Sequence, residues 1–253
     1  METIYGVLVF LIGLILGSFF NVCIYRIPRG ESVSFPPSHC SVCNENIKAY
    51  DLIPIISYII LRGRCRKCRD KISMQYPIIE FITGVSFLIL YLNFGFTVKF
   101  FLGALLTTVL IITAVIDINT GYIYEFISVV GIIGGIIYVI YSYATNGDWV
   151  GLIIGAIIAA AVIGLFAIFG GMGWGDVEIS FMCGLYLGVS SSILMLVLSI
   201  VFGGVGGAVL LLNTKKIEKG ATMAFGPYIA LGGFISLVYG EVIIKGFLSY
   251  YGL

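Results

Sequence analysis

The sequence predicts an all-α polytopic membrane protein of about eight transmembrane helices with one sizeable extramembrane loop. Three observations carry that reading. Hydrophobic residues make up 60% of the 253 and charged residues only 11%, against roughly 25% charged in a soluble globular chain. The mean hydropathy is +1.10. The apolar residues form long unbroken runs, not the alternation of a transmembrane barrel. Glycine, at 33 residues, is abundant and proline, at 6, is scarce, which suits close helix packing in lipid. A net charge of +1 gives no electrostatic footprint for nucleic acid.

A span takes about 20 residues, and the apolar runs place spans near 4–24, 77–94, 100–117, 126–144, 149–169, 177–190, 191–212 and 222–244. The first opens on Met1-Glu2-Thr3, which has no basic residue such as a signal peptide carries, so it reads as a retained span. The fifth runs into Phe169-Gly170-Gly171-Met172-Gly173-Trp174-Gly175, too rich in glycine for a firm helix. From Ile179 to Thr214 no residue is charged. One helix of that length would run about 54 Å, against a hydrocarbon core of about 30 Å. The stretch is therefore expected to hold two spans with a tight turn near Val189–Ser192. The chain divides into a first transmembrane helix (1–25), a loop domain (26–76) and a seven-helix membrane core (77–253).

Charge placement orients these spans. Nine basic residues lie between Arg26 and Lys71, and Lys215, Lys216 and Lys219 follow the seventh span. With eight spans and the N-terminus outside, all basic residues but Lys99 and Lys245 face the cytosol, as the positive-inside rule asks. The basic loops serve topology alone or add a lipid or substrate role.

The loop 26–76 holds Cys40-x2-Cys43 and Cys65-x2-Cys68. Each spacing lets two sulfurs reach one ion, and four thiolates suit tetrahedral Zn2+. A reducing cytosol argues against disulfides. With no ligand position left for water, the expected zinc is structural. His39, beside Cys40, is left out of the ligand set, and Cys23 and Cys183 are expected only to pack. Between the pairs, Asp51–Leu61 is apolar but too short to span. It lies on the membrane surface or forms the small core of the loop domain.

Glu80, Asp117, Glu125, Asp176 and Glu178 sit in or near apolar helix ends, where acids are costly and usually face a cavity or a partner. Asp117 closes the third span and Asp176 opens the sixth, at the same expected depth on the same side. A carboxyl pair can split the work of peptide hydrolysis, one taking a proton from water and the other polarising the carbonyl. Taken singly, Asp117 also reads as an acid ending a helix and Asp176 as an N-terminal cap. A transporter's ion pathway is the remaining alternative, although its ionisable groups are expected nearer the midplane.

These residues resemble the type IV prepilin peptidase family over nearly the whole chain. Gly17-Ser18-Phe19-Phe20-Asn21-Val22 with Tyr25-Arg26-Ile27-Pro28 is similar to its N-terminal signature. The two cysteine pairs, the stretch Tyr50–Tyr58 between them, Arg62-Gly63-Arg64-Cys65 and Ile72–Glu80 follow its loop. Gly173-Trp174-Gly175-Asp176 matches the GxGD element of intramembrane aspartyl proteases, and Phe225-Gly226-Pro227-Tyr228 resembles the opening of the family's last span. The resemblance implies an endopeptidase that removes the short basic leader of prepilins or pseudopilins after a glycine, at the cytosolic face of a prokaryotic plasma membrane. It implies Asp117 and Asp176 as the catalytic pair in a peptidase core. Glu80, Glu125 and Glu178, with Gly173 and Gly175, are the expected substrate-binding positions. It also implies N-methylation of the new terminus from S-adenosylmethionine, for which no stretch reads as a donor site. A peptidase without the methyltransferase, a transporter or a non-catalytic pilus-assembly component are the other readings. Two positions depart from the family pattern. Ile123-Tyr124-Glu125 stands where Ile-Pro-Asp is usual, and Glu178 stands where a lysine is usual.

Overall fold

A computed structural model of the chain describes residues 2–213 and 223–251. The regular elements among the described residues are helices, without strands. The helices are α1 (Glu2–Arg26), α2 (Ile56–Ile60), α3 (Gln75–Phe94), α4 (Val98–Thr120), α5 (Glu125–Ala144), α6 (Trp149–Ile168), α7 (Trp174–Asn213) and α8 (Gly226–Tyr251). Among the described residues, all but α2 are long and apolar enough to cross a membrane, which makes seven. The chain forms two compact units, Met1–Phe96 and Thr97–Leu253.

In the first unit α1 packs on α3 through glycines. A Cβ at Gly13 would lie 2.8 Å from Gly84 Cα, and one at Gly17 would lie 2.7 Å from Glu80 Cα. Lipid supplies no hydrophobic drive between helices, so small residues that let two backbones touch supply the packing. Beyond α1 the buried Arg26 guanidinium gathers the loop, donating to the carbonyls of Ser32 (2.9 Å) and Pro36 (2.6 Å). Single antiparallel bridges pair His39 with Asn46 and Arg64 with Lys71. No residue of Asp51–Leu61 is buried, so this stretch does not form a core for the loop.

In the second unit α4 is capped by Thr97, whose side chain accepts from Phe100 N (3.3 Å), and α6 by Asp148, which accepts from Gly151 N (2.9 Å). Each satisfies an amide that the first helical turn leaves without a partner. α7 resolves the long uncharged stretch. Its backbone leaves helical geometry at Gly188 (φ 73°, ψ −178°). A Cβ at Gly233 of α8 would lie 3.2 Å from Cys183 Sγ and 3.8 Å from Met195 Sδ. A straight helix would separate residues 183 and 195 by about 18 Å. The chain therefore doubles back at Gly188, one residue before the expected turn. The seven long helices and the eight expected spans differ only here, where two arms run on as one helix. Gly188 can take this conformation because it lacks a Cβ. A Cβ on the neighbouring Gly155 of α6 would lie 2.6 Å from its carbonyl. The basic residues Lys215, Lys216 and Lys219 lie outside the described residues.

Candidate functional site

Asp117 sits in the last turn of α4. That helix ends at Gly121 (φ 70°), whose amide donates to the Asp117 carbonyl at 2.8 Å. An acid is disfavoured at a helix C-terminus by the macrodipole, and the compensation comes from another helix. The Gly226 amide at the start of α8 donates to Asp117 Oδ2 at 2.9 Å. A Cβ on Gly226 would stand 2.7 Å from that oxygen, so glycine is needed there for close approach.

Asp176 lies in the first turn of α7. Its Oδ2 accepts from the Gly173 amide at 3.0 Å, the reach-back of a capping box. Asp176 is therefore not the N-cap itself but the third helical residue, bonding back to the capping position Gly173 through one oxygen only. Oδ1 is buried and has no hydrogen-bond partner among the described residues. Gly175 lets the turn after α4 close over the start of α7, since a Cβ there would lie 2.6 Å from Ile123 Cβ. Both aspartates are buried, at 5% and 6% exposure, and their carboxyls lie within electrostatic reach of each other. The structure thus brings together the two acids that the sequence leaves far apart.

Glu125 and Glu178 form a second acidic group. Glu125 opens α5 and is exposed; Glu178 is half-buried on α7, beside Ser128 and within electrostatic reach of Glu125. Two positions after Asp176, Glu178 falls on a different face of its helix. In the first unit Glu80 is buried, and its Oε2 accepts from the Ile55 amide at 2.7 Å. That bond suits a residue that holds the loop better than one awaiting a leader peptide.

The four cysteines of the loop also converge. Their sulfurs all lie within 4.8 Å of one another, with Cys40–Cys68 at 3.8 Å and Cys43–Cys65 at 4.0 Å. A Zn–S bond of about 2.3 Å puts tetrahedral sulfurs about 3.8 Å apart, so the set fits the ion. The sulfurs stand apart as four separate ligands rather than as bonded pairs. Each pair sits on the same local turn. The Cys40 amide donates to Glu45 O and the Cys65 amide to Asp70 O, while Asn44 and Arg69 return to the cysteine carbonyls. Both returning residues have positive φ, 54° and 62°. Amides of Cys68 and Lys67 pull the Cys65 thiol down to about 7, while Cys68, against the lowering by the Asp70 amide, is pushed up to about 12 by burial and the neighbouring cysteines, so the sulfurs share their protons as a set. His39 turns its Nδ1 to Pro37 O at 2.9 Å and is not among the clustered ligands. Arg66 grips Asp51 with two bonds of 2.8 and 2.6 Å, and Lys67 pairs with Glu45.

Sequence reasoning assigned no role to Gly226. Its signal was a glycine immediately before Pro227 at a helix start, a place where a bare amide faces outward. The bond between Glu80 and Ile55 carried no sequence signal.

Residues 11–94 match the model of the bacterial peptidase A24 N-terminal domain, and residues 104–208 match that of the type IV leader peptidase family. The two matches fall one in each compact unit. Similar relatives include the prepilin leader peptidase/N-methyltransferase of Neisseria gonorrhoeae, 33% identical over 88% of this chain and 87% of that protein. That of Stutzerimonas stutzeri is 30% identical over 94% and 92%, and that of Bacillus subtilis (strain 168) 30% identical over 96% and 97%. No solved structure matches the chain.

Proposed function

Because the chain belongs to the type IV leader peptidase family, we propose that it is an intramembrane aspartyl endopeptidase for prepilins or pseudopilins. In this reading it cuts after the glycine that joins a short basic leader to an apolar helix, at the cytosolic face. The N-terminus lies outside, and the cysteine loop and Asp117–Asp176 lie inside. The observation that carries the reading is the pair of buried carboxyls, each fixed by one glycine amide, with Asp176 Oδ1 left without a partner among the described residues. A buried polar atom without a partner is rare unless a ligand or water takes it. Water bound between the carboxyls loses a proton to one of them and attacks the scissile carbonyl, which the other, protonated, polarises. The leaving amine then takes a proton from the pair, and no acyl-enzyme forms. Glu125 and Glu178 meet leader Lys or Arg, and Gly173 and Gly175 leave room for the substrate backbone beside Asp176.

Cys40, Cys43, Cys65 and Cys68 hold a structural Zn2+, which fixes the fold of a loop with little core of its own. S-adenosylmethionine supplies the methyl group for the new N-terminal amine, as the methyltransferase name of the relatives suggests. Both activities are read in one experiment. Purified protein in lipid is given a prepilin with a basic leader ending in glycine before phenylalanine, with and without S-adenosylmethionine, and the product is weighed by mass spectrometry. A shortened product carrying one methyl, absent with Asp117→Asn or Asp176→Asn, is the expected result. A shortened product without the methyl limits the protein to peptidase activity. Cleavage that survives both substitutions overturns the aspartyl mechanism.

A further inference from the structure

Between the two cysteine pairs the chain does something a surface loop has no reason to do. Ile55 N–H donates to Glu80 Oε2 at 2.7 Å, and Glu80 lies five residues into α3, which starts at Gln75. Glu80 Cα lies roughly 7 Å from the start of this membrane-spanning helix along its axis, and its carboxylate, on a side chain that leans back toward the helix start, holds the Ile55 backbone against the first turns of α3. Ile55 pays for the position with φ 60° and ψ −50°, a conformation that β-branched residues avoid. Immediately after it, Ile56, Ile59 and Ile60 of α2 are 55%, 67% and 69% exposed. In water three adjacent isoleucines so exposed are unfavourable. The surface next to them is not a water-facing one. Ile55 and Met74 line a single apolar groove with Pro77, Ile78, Phe81 and Ile82 of α3, and Ile78, Phe81 and Ile82 are exposed on a span. The apolar face of the loop thus continues the lipid-facing face of α3. Exposed Arg62, Arg64, Arg69 and Lys71 follow in the sequence.

We propose that Leu52–Leu61 is a membrane-surface anchor, whose isoleucines insert among lipid chains beside the first turns of α3 while the following basic side chains meet lipid phosphates. An irregular backbone survives at that depth only if its polar groups find partners within the protein. Glu80 is the partner for Ile55, and the amides of Ile56, Ser57 and Ile59 donate to Pro54, Ile53 and Ile55 carbonyls. An exposed apolar stretch followed by exposed basic residues has the composition of an interfacial segment. The anchor holds the cysteine cluster at the bilayer surface, and Glu80 is its positioning residue.

Tryptophan depth tests this without reference to catalysis. The full chain is placed in lipid nanodiscs carrying Ile59→Trp, Ile60→Trp, Phe81→Trp or Val42→Trp, each read as the emission added to that of Trp149 and Trp174. Val42 is an exposed residue inside the first cysteine pair, and Phe81 marks the lipid-facing side of α3. Brominated lipid is expected to quench the added tryptophan at 59 and 60 as strongly as at 81, with aqueous iodide quenching only that at 42. Quenching at 59 and 60 by iodide but not by lipid overturns the anchor. Protection from both quenchers also overturns it, and assigns the face to a protein partner such as a substrate helix. In the Ile59→Trp background, Glu80→Leu is expected to lower lipid quenching about twofold or more as the segment lifts away, and Glu80→Gln, which keeps an acceptor, to preserve it. Equal quenching in all three overturns the positioning role of Glu80.

Discussion

The cysteine cluster and the aspartate pair are assembled by opposite means. Each cysteine pair is built by its own short turn, with amide–carbonyl bonds spanning five residues and a left-handed residue closing each knuckle. The two turns then need only meet. The aspartates have no such local frame in common. Asp117 depends on an amide from α8, and Asp176 on the Gly173 amide of its own turn, which Gly175 lets pack against Ile123 in the turn after α4. A site made of local turns tolerates change around it but fails when a ligand is lost. A site made of helix ends fails through its neighbours as well.

The largest expected effect lies at the aspartates themselves. Asp117→Asn or Asp176→Asn keeps the side-chain volume and an oxygen that can accept the glycine amide, so helix packing should survive. Cleavage should fall by about 100- to 10,000-fold, the range associated with general acid–base groups, as measured by initial rates on a prepilin in lipid. A fall of less than tenfold would remove these residues from the chemistry.

Gly226→Ala comes next and bears most directly on the comparison. The new methyl would stand 2.7 Å from Asp117 Oδ2, so α8 or the carboxyl must move by several tenths of an ångström. A displacement of this order at a catalytic group lowers the rate by about 10- to 100-fold. The control is Gly30→Ala, where a Cβ meets nothing within 4 Å although φ is 67°; it should leave cleavage near wild type. Equal rates for Gly226→Ala and wild type would mean that the α8 amide does not hold Asp117 for catalysis.

Removing one cysteine ligand tests the other region. Cys40→Ser or Cys65→Ser should drop bound zinc from one ion to none by elemental analysis, and should expose residues 26–76 to protease. Loss of a structural ion unfolds small metal-held segments. Cleavage of a prepilin should change much less than with either aspartate variant. A cysteine substitution that abolished cleavage while leaving the loop protease-resistant would erase the distinction between the two regions.

The sequence carried different amounts of these two sites. Two x2 cysteine spacings state their own geometry, and the four sulfurs converge without His39. The spans were legible because lipid accepts only long apolar runs, and even the reversal near Gly188 followed from an uncharged stretch too long for one crossing. The aspartates could be paired by depth, and Asp176 could be placed at a helix start, but the support of Asp117 could not be seen. Gly226 acts on a residue more than a hundred positions away, and one chain gives no local pattern for such a contact. Glu80 shows the same limit from the other side. An acid near a helix start suggested a leader contact, whereas its carboxylate holds Ile55, a tertiary bond that no spacing announces.

The smallest effect belongs to the ion pair that braces the loop between its two turns. Arg66 binds Asp51 through both carboxylate oxygens and holds the Asp51 carboxyl below its ordinary value. A carboxylate with a lowered value in the folded loop stabilises it above the value of the unfolded chain. That contribution is lost as pH falls through the lowered value, so at neutral pH it is fully present. Arg66 is half exposed, with 49% of its side chain accessible, and solvent screens such a pair strongly. Asp51→Asn at pH 7 should therefore leave zinc content unchanged and quicken protease cutting of residues 26–76 only slightly, with the difference from wild type shrinking in high salt. Loss of zinc from Asp51→Asn would mean that the two cysteine turns do not find each other unaided, and that the cluster, like the aspartate pair, is held in place by a distant contact.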